Sequence, residues 1–107
     1  MESEALHIGI LHIDQTARVT REGDTEIKLS RLEFDTLAYL AQNAGQFVYY
    51  SELWRNIWSA SAPFGKTERE TVRAVIKRLR KKLTYPSQSS ECITCVHGVG
   101  VRLETKV

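Results

Sequence analysis

The sequence of 107 residues is poor in cysteine and proline, with two of each, and has no long apolar run. Two cysteines are too few for a disulfide framework, which indicates a reducing compartment. No stretch approaches the roughly 18 apolar residues of a membrane-spanning helix, so we expect no membrane partner. The acidic start, Met1–Glu4, lacks the apolar segment of a secretory signal, which favours a cytoplasmic location.

The sequence also lacks any recognisable catalytic or metal-binding constellation. Cys92 and Cys95 form a C-x-x-C motif followed by His97, but a tetrahedral zinc site needs four ligands and no second pair exists. Positions three apart on a strand point to opposite faces, which separates the two sulfur atoms. We therefore interpret both cysteines as free thiols that are buried or half-buried. His7 and His12 have no carboxylate or nucleophile arranged near them, and no phosphate-binding glycine loop occurs. We expect neither an enzyme nor a cofactor.

The length and composition predict one globular domain, residues 1–107, with a small core. Apolar residues make up 42% and charged residues 26%, which is ordinary for a globular protein. The charge, however, is unevenly placed. Between Thr67 and Leu83 there are seven basic and two acidic residues, a net charge of +5, whereas the rest of the chain carries −3. Basic charge concentrated on an acidic body is typical of a polyanion-binding protein.

Residues 1–29 are predicted to form an antiparallel β-meander. Two short runs with β-branched members, 17–20 and 26–29, follow an apolar cluster made of Ile8, Ile10, Leu11 and Ile13. Turn residues separate these segments at 15–16 and at 22–24.

Residues 30–83 are predicted to form a three-helix core. A capping box of Ser30 and Glu33 begins the first helix, and Gly45 is expected to take the left-handed conformation after its end. The segment 47–49 is too short for more than a brief strand or turn. Ser51 is expected to cap the second helix, whose inner face would carry Leu53, Trp54, Ile57 and Trp58.

A loop at 59–66, interrupted by Pro63 and Gly65, precedes the longest helix. A second capping box, Thr67 with Glu70, predicts that this helix begins there and continues to about Leu83. In the tail, strands at 92–96 and 99–103 are predicted to form a hairpin within 91–104.

The longest helix is predicted to have one apolar and one cationic face. At 100° per residue the apolar side chains point together toward the core: Val72, Val75, Ile76, Leu79 and Leu83. The opposite side carries Glu70, Ala74, Lys77 and Lys81, flanked by Arg73 and Arg78. A small residue among long cations would let the helix enter the DNA major groove, where arginine can bond guanine through paired hydrogen bonds. A solvated charged face is the alternative, but charge of one sign has no i,i+4 partners to balance it.

The order of elements is that of a winged helix-turn-helix, and the sequence resembles the OmpR/PhoB-type effector domain of bacterial response regulators over nearly its whole length. The stretches that carry the resemblance are LSRLEF at 29–34, SELW with IW at 51–58, TV with IKRLRKKL at 71–83, and HGVG at 97–100. The resemblance implies an α+β fold and a transcription regulator of a two-component system. It would bind double-stranded DNA sequence-specifically, with helix 67–83 in the major groove and the wing near the minor groove.

The resemblance also implies partners and site residues. Two copies would pair on repeated DNA half-sites, whereas in solution the protein would be a monomer or weak dimer. The loop 59–66 would contact RNA polymerase. The receiver domain typical of the family is missing from the sequence, so we expect an excised fragment or a stand-alone protein. Base reading falls on Ala74, Lys77 and Arg78. Phosphate or flanking contacts fall on Trp58, Lys66, Arg69, Thr71, Arg73, Arg80 and Lys81, and wing contacts on Cys95, His97 and Arg102.

Some of these roles have alternatives. Trp58 could equally be a core residue, and Arg80 could form an ion pair with the protein body. His97 stands where relatives commonly carry arginine, and a largely neutral histidine binds the minor groove less firmly. The usual aromatic residue of the wing is replaced by Val101. The alternative function is a protein-interaction module whose basic helix binds an acidic protein partner.

Overall fold

A computed structural model describes residues 5–9, 11–58, 61, 63–83, 93–96 and 98–104. Within these ranges the chain forms an N-terminal sheet, three helices and a C-terminal wing sheet. The N-terminal sheet is antiparallel in chain order, with β1 (Ala5–Ile8), β2 (Leu11–Asp14), β3 (Val19–Glu22) and β4 (Thr25–Ile27). The helices are α1 (Arg31–Gln42), α2 (Tyr50–Ile57) and α3 (Lys66–Lys82), and the wing sheet contains β5 (Phe47–Tyr49), β6 (Ile93–Val96) and β7 (Gly100–Leu103). The predicted α+β winged architecture is confirmed.

The N-terminal meander has four strands where the sequence pattern suggested three segments. The first apolar cluster is a hairpin, because Gly9 adopts a φ of 60° between β1 and β2, a conformation that costs glycine little. The strand predicted at 17–20 begins two residues later, because residues 17 and 18 belong to a turn. In this turn the Ala17 amide donates to the Asp14 carboxylate at 3.0 Å, and Arg18 has a φ of 57°. This turn therefore extends through Arg18 and moves β3 to 19–22. The last strand is 25–27 and not 26–29.

Helix α1 begins with the predicted capping box. Ser30 accepts a hydrogen bond from the Glu33 amide at 3.2 Å, and the Glu33 carboxylate accepts one from the Ser30 amide at 2.9 Å. Gly45, with a φ of 82°, follows the helix end as expected. Helix α1 contacts α2 partly through the Tyr39 hydroxyl, which donates to the Glu52 carboxylate.

The other two helices begin elsewhere than predicted. Helix α2 starts at Tyr50, directly after β5, so Ser51 lies inside the helix and is not its cap. Helix α3 starts at Lys66 after Gly65, and the predicted box of Thr67 and Glu70 is wrong. Instead the Glu68 carboxylate accepts from the Gly65 amide at 2.9 Å. The sequence pattern alone could not locate this helix start, because any serine or threonine three residues before a glutamate fits the capping box.

The wing is a three-stranded sheet, in which β5 adds to the predicted hairpin in the order β5-β7-β6. Gly100 pairs with Tyr49 across this sheet. A Cβ atom at Gly100 would lie 2.4 Å from the Val48 carbonyl oxygen and 2.6 Å from the Phe47 ring. Glycine at this position therefore allows β5 to join the wing.

The core lies between the N-terminal sheet, the helices and the wing sheet. Each helix contributes a leucine with no exposed surface: Leu37 from α1, Leu53 from α2 and Leu79 from α3. The wing strand β7 contributes Val101 and Leu103, which are equally buried. In the described ranges, none of the helices is both long and apolar enough to cross a membrane.

We expect Leu79→Ala to lower the free energy of unfolding by about 2–5 kcal/mol, because Leu79 is fully buried and truncation leaves a cavity. Urea unfolding measures this change. Lys77→Ala is the matched control on the exposed side of the same helix, and its stability should stay within about 0.5 kcal/mol of the parent. Equal losses of unfolding free energy in the two variants would contradict the assignment of Leu79 to the buried face of α3 and of Lys77 to its exposed face.

Candidate nucleic-acid interface

Helix α3 has the two faces that its sequence predicts. Val72, Val75, Ile76 and Leu79, together with Leu83 just after the helix, are buried. The outward residues are all exposed: Glu70, Arg73, Ala74, Lys77, Arg78 and Lys81. Because the apolar stripe is seated on the core, the cations project from a fixed helix into solvent.

The predicted base-reading face borders a groove of about 550 Å³, which we call the α3 groove. Ala74 contributes no long side chain to it, while basic residues stand around it. The groove is lined by Tyr50, Glu70, Arg73, Ala74, Ile76, Lys77, Arg80 and Cys95. Helix α3, the start of α2 and strand β6 thus meet beside the exposed cations.

Arg78, assigned by resemblance to base reading, is paired with a buried carboxylate. Its Nε atom lies 3.4 Å from Oε2 of Glu33, which is only 2% exposed. Lys82 donates to Oε1 of the same carboxylate at 2.7 Å. Burial alone would raise the pKa of Glu33, but hydrogen bonds from Lys82 and Ser30 and the charge of Lys82 outweigh it, so this pKa lies below its usual value.

Arg80 and Cys95 join α3 to the wing. The Arg80 guanidinium contacts the Cys95 sulfur at 3.6 Å, so Arg80 lies at the side of the α3 groove and is half-buried. Cys95 is exposed and lines the α3 groove, which corrects the expectation of a buried or half-buried thiol. Burial, together with the charge and hydrogen bond of Cys95, raises the pKa of Tyr50 to about 12. Cys92 and His97 lie outside the described residues.

Trp58 lies just after α2 and stacks on Trp54, with ring centroids 5.5 Å apart. Both indoles are half-buried, and Phe64 packs near Trp54 at 6.5 Å. Trp58 therefore combines core packing with an accessible surface.

The remaining predicted contacts fall in two places. Lys66, Arg69 and Thr71 are exposed on the first turns of α3, where the Thr71 hydroxyl donates to the Thr67 carbonyl at 3.1 Å. Arg102 lies apart from them on β7, half-buried, and pairs with Glu104 at 3.0 Å. Of the predicted site residues, the structure brings Arg73, Ala74, Lys77, Arg80 and Cys95 together around the α3 groove.

Sequence reasoning missed two residues of this region, Glu33 and Tyr50. Glu33 was read only as half of a capping box, because its second role depends on α3 packing across α1. Tyr50 precedes a serine that resembles an N-cap, so no local signal marked it as a buried residue of the groove. Among the described residues, no group of three or more His, Cys, Asp or Glu side chains could hold a metal ion.

Comparison with known proteins identifies residues 24–103 with a family model described as "Transcriptional regulatory protein, C terminal". The chain is 41% identical over 80 residues to the transcriptional regulatory protein RstA of Escherichia coli, which covers 75% of the chain and 32% of RstA. It is 33% identical over 101 residues to the DNA-binding response regulator MtrA of Mycolicibacterium smegmatis, covering 94% of the chain and 42% of MtrA. The chain thus spans well under half the length of these relatives.

A solved structure similar to the chain is the RstA DNA-binding domain of Klebsiella pneumoniae, in complex with the RstA box. The TM-score is 0.83 at 28% identity, and the match covers 96% of the chain and 99% of that domain.

We expect stability to fall on acidification as Glu33 becomes protonated. The pKa of this carboxyl in the folded protein lies below its ordinary value of 4.5, so its contribution is complete above that value and is lost as the pH falls through the folded pKa. Urea unfolding at a series of pH values from about 7 to about 3 should show a steeper loss for the parent than for Glu33→Gln. Parallel losses in the two proteins would contradict the stabilisation of the Glu33 carboxylate by Lys82 and Ser30.

Proposed function

The chain belongs to the family of C-terminal domains of transcriptional regulatory proteins, and from this premise we propose that it binds double-stranded DNA sequence-specifically, with α3 in the major groove. The observation that carries the proposal is the exposed cationic face of α3. Its cations flank the small Ala74, while its other face is anchored in the core. The width of the B-DNA major groove admits one such helix.

Charge distribution supports the same function. The segment 67–83 carries a net charge of +5 in a chain whose remainder carries −3. Phosphates attract this surface and bound counterions are released, which gives binding a steep dependence on salt. The acidic remainder of the chain would disfavour other docking orientations, so electrostatics orients α3 toward DNA.

We assign the contacts by their positions on α3. Ala74, Lys77 and Arg78 are proposed to face base edges, because all three are exposed on the outward side of α3. Ala74 and Lys77 also line the α3 groove. The flanking contacts with phosphates are assigned to Lys66, Arg69, Thr71, Arg73, Arg80 and Lys81, with Trp58 beside them. Cys95, His97 and Arg102 are proposed for the wing. The similar RstA domain, solved with its RstA box, supports DNA as the ligand class.

Two further partners belong to this proposal. Two copies of the chain would occupy repeated half-sites, and the segment 59–66 would contact RNA polymerase when the regulator acts at a promoter. Support for the second contact comes from position: the residues of this segment before Lys66 directly precede α3, and Phe64 packs near Trp54. A contact there would leave the outward face of α3 available to DNA.

We expect Arg78→Ala and Lys81→Ala to affect DNA binding differently. Loss of a base contact by Arg78 should cost about 1–3 kcal/mol on a duplex selected by the parent protein and relax specificity at one base pair. Loss of a phosphate contact by Lys81 should weaken selected and random duplexes alike and reduce the salt slope by about one unit. Competition titrations on both duplexes at several salt concentrations measure these effects.

Lys28→Ala is the matched control, because it removes the same charge from an exposed side chain on the N-terminal side of the molecule. It should leave the preference for the selected duplex unchanged. An equal loss on every duplex for Arg78→Ala would make Arg78 a phosphate contact. No change in either α3 variant would favour an acidic protein partner over DNA.

We expect a monomer or weak dimer in the absence of DNA. The exposed face of α3 is charged, and the large hydrophobic side chains exposed in the described ranges are Tyr49 and Val99, which offer little apolar area for a permanent dimer. Sedimentation at micromolar protein, with and without a duplex that carries two half-sites, tests this expectation. A tight dimer without DNA would contradict it.

A further inference from the structure

The two oxygen atoms of the buried Glu33 carboxylate have different partners. Oε1 accepts hydrogen bonds from the Ser30 amide at 2.9 Å and from Lys82 at 2.7 Å. Oε2 lies 3.4 Å from Nε of Arg78. Oε1 therefore caps α1 and binds Lys82 at the end of α3, whereas Oε2 faces Arg78, the arginine assigned to base reading.

The contact engages Arg78 through the inner nitrogen of its guanidinium. The side chain remains 57% exposed, so the guanidinium contacts the carboxylate at one atom and is open to solvent elsewhere. A guanidinium is planar, and its donors form a rigid fork that matches the two acceptors of guanine. An ion pair at Nε favours one direction of the fork and leaves its two terminal nitrogens outside this contact.

Prior restriction matters because arginine has a long, flexible side chain. A free arginine loses much of its rotamer freedom when it docks against one base, and this loss opposes binding. An arginine that is already held loses less, and it meets fewer wrong bases in a bonding geometry. Glu33 is ionised at neutral pH and can pair with Arg78 in the unbound protein, because its hydrogen bonds and Lys82 offset the effect of burial on its pKa.

We propose that Glu33 of α1 is a positioning residue for DNA recognition, whose buried carboxylate aims the Arg78 guanidinium at a guanine edge in the major groove. This proposal rests on the DNA-binding function proposed above. It assigns specificity to a residue that is itself buried and that does not touch the DNA. Lys82, held by the other oxygen, secures α1 against α3 and is not required for base choice.

The test is Glu33→Gln, because glutamine keeps the size of the side chain and can still complete a capping box with Ser30. Asp35→Asn is the matched control, since it removes one negative charge from the same helix at a residue paired with Arg18 and Arg31. Lys82→Met removes the lysine partner of Oε1 and leaves the Ser30 amide and Arg78 in place. Dissociation constants are measured for each protein on a duplex selected by the parent and on a random duplex, at a temperature where circular dichroism shows the protein folded.

The measured quantity is the ratio of the two dissociation constants, random over selected. We expect Glu33→Gln to lower this ratio by about three- to tenfold, part of the discrimination that one bidentate contact supplies. Asp35→Asn and Lys82→Met should keep it within about twofold of the parent. In an Arg78→Ala background, Glu33→Gln should have no further effect on the ratio, because the two residues act through one contact.

Other outcomes overturn the proposal. An unchanged ratio in Glu33→Gln, or an equal fall with and without Arg78, would leave Glu33 a purely structural residue while the DNA-binding function stands. A parent protein that does not distinguish the selected duplex from the random one would instead overturn the proposed function, and the positioning role with it.

A measurement on the unmodified protein guards against a variant that fails to fold. In NMR spectra of the free parent, the Arg78 Nε–H should exchange with water more slowly and be more rigid than that of the exposed Arg73. Equal exchange and equal order in the two side chains would contradict the holding of Arg78 by Glu33.

Discussion

Helix α3 is seated on the core through Val72, Ile76 and Leu79, which are at most 2% exposed. The position of the cationic face depends on this burial, because a helix anchored by one stripe must present the opposite one to solvent. Burying these side chains also offsets the unfavourable crowding of like charges along the outer side of the helix. The apolar contacts therefore fix the positions of the charges that DNA would meet, although the apolar side chains are themselves buried.

The Glu33 carboxylate adds a second attachment of α3, at its C-terminal half. A buried charge is costly unless it is paired and hydrogen-bonded, and here Ser30, Lys82 and Arg78 supply the partners. The same carboxylate caps the N-terminus of α1 and pairs with two cations of α3. Stability and orientation of the candidate interface are consequently linked through a single side chain that never reaches the surface.

The wing is tied to the helices by backbone hydrogen bonds as well as by packing. The Tyr50 amide donates to the Val99 carbonyl at 2.9 Å, and the Gly45 amide donates to the Leu103 carbonyl at 2.8 Å. Gly100 allows β5 to lie against β7, which brings the start of α2 next to β6 and the α3 groove. Backbone hydrogen bonds thus hold the wing against the start of α2, beside the α3 groove.

The sequence by itself determined the helical core, the capping box at Ser30, the two faces of α3 and the wing hairpin, because these follow from local hydrogen bonding and periodicity. The first residues of α2 and α3 were predicted wrongly, since capping patterns recur at Ser51 and Thr67 and only neighbouring structure selects among them. The exposed position of Cys95, the joining of β5 to the wing and the pairing of Glu33 with Arg78 were decided by tertiary structure alone. Glu33 and Arg78 lie 45 positions apart in the sequence, and no local pattern encodes which distant cation a buried carboxylate will meet.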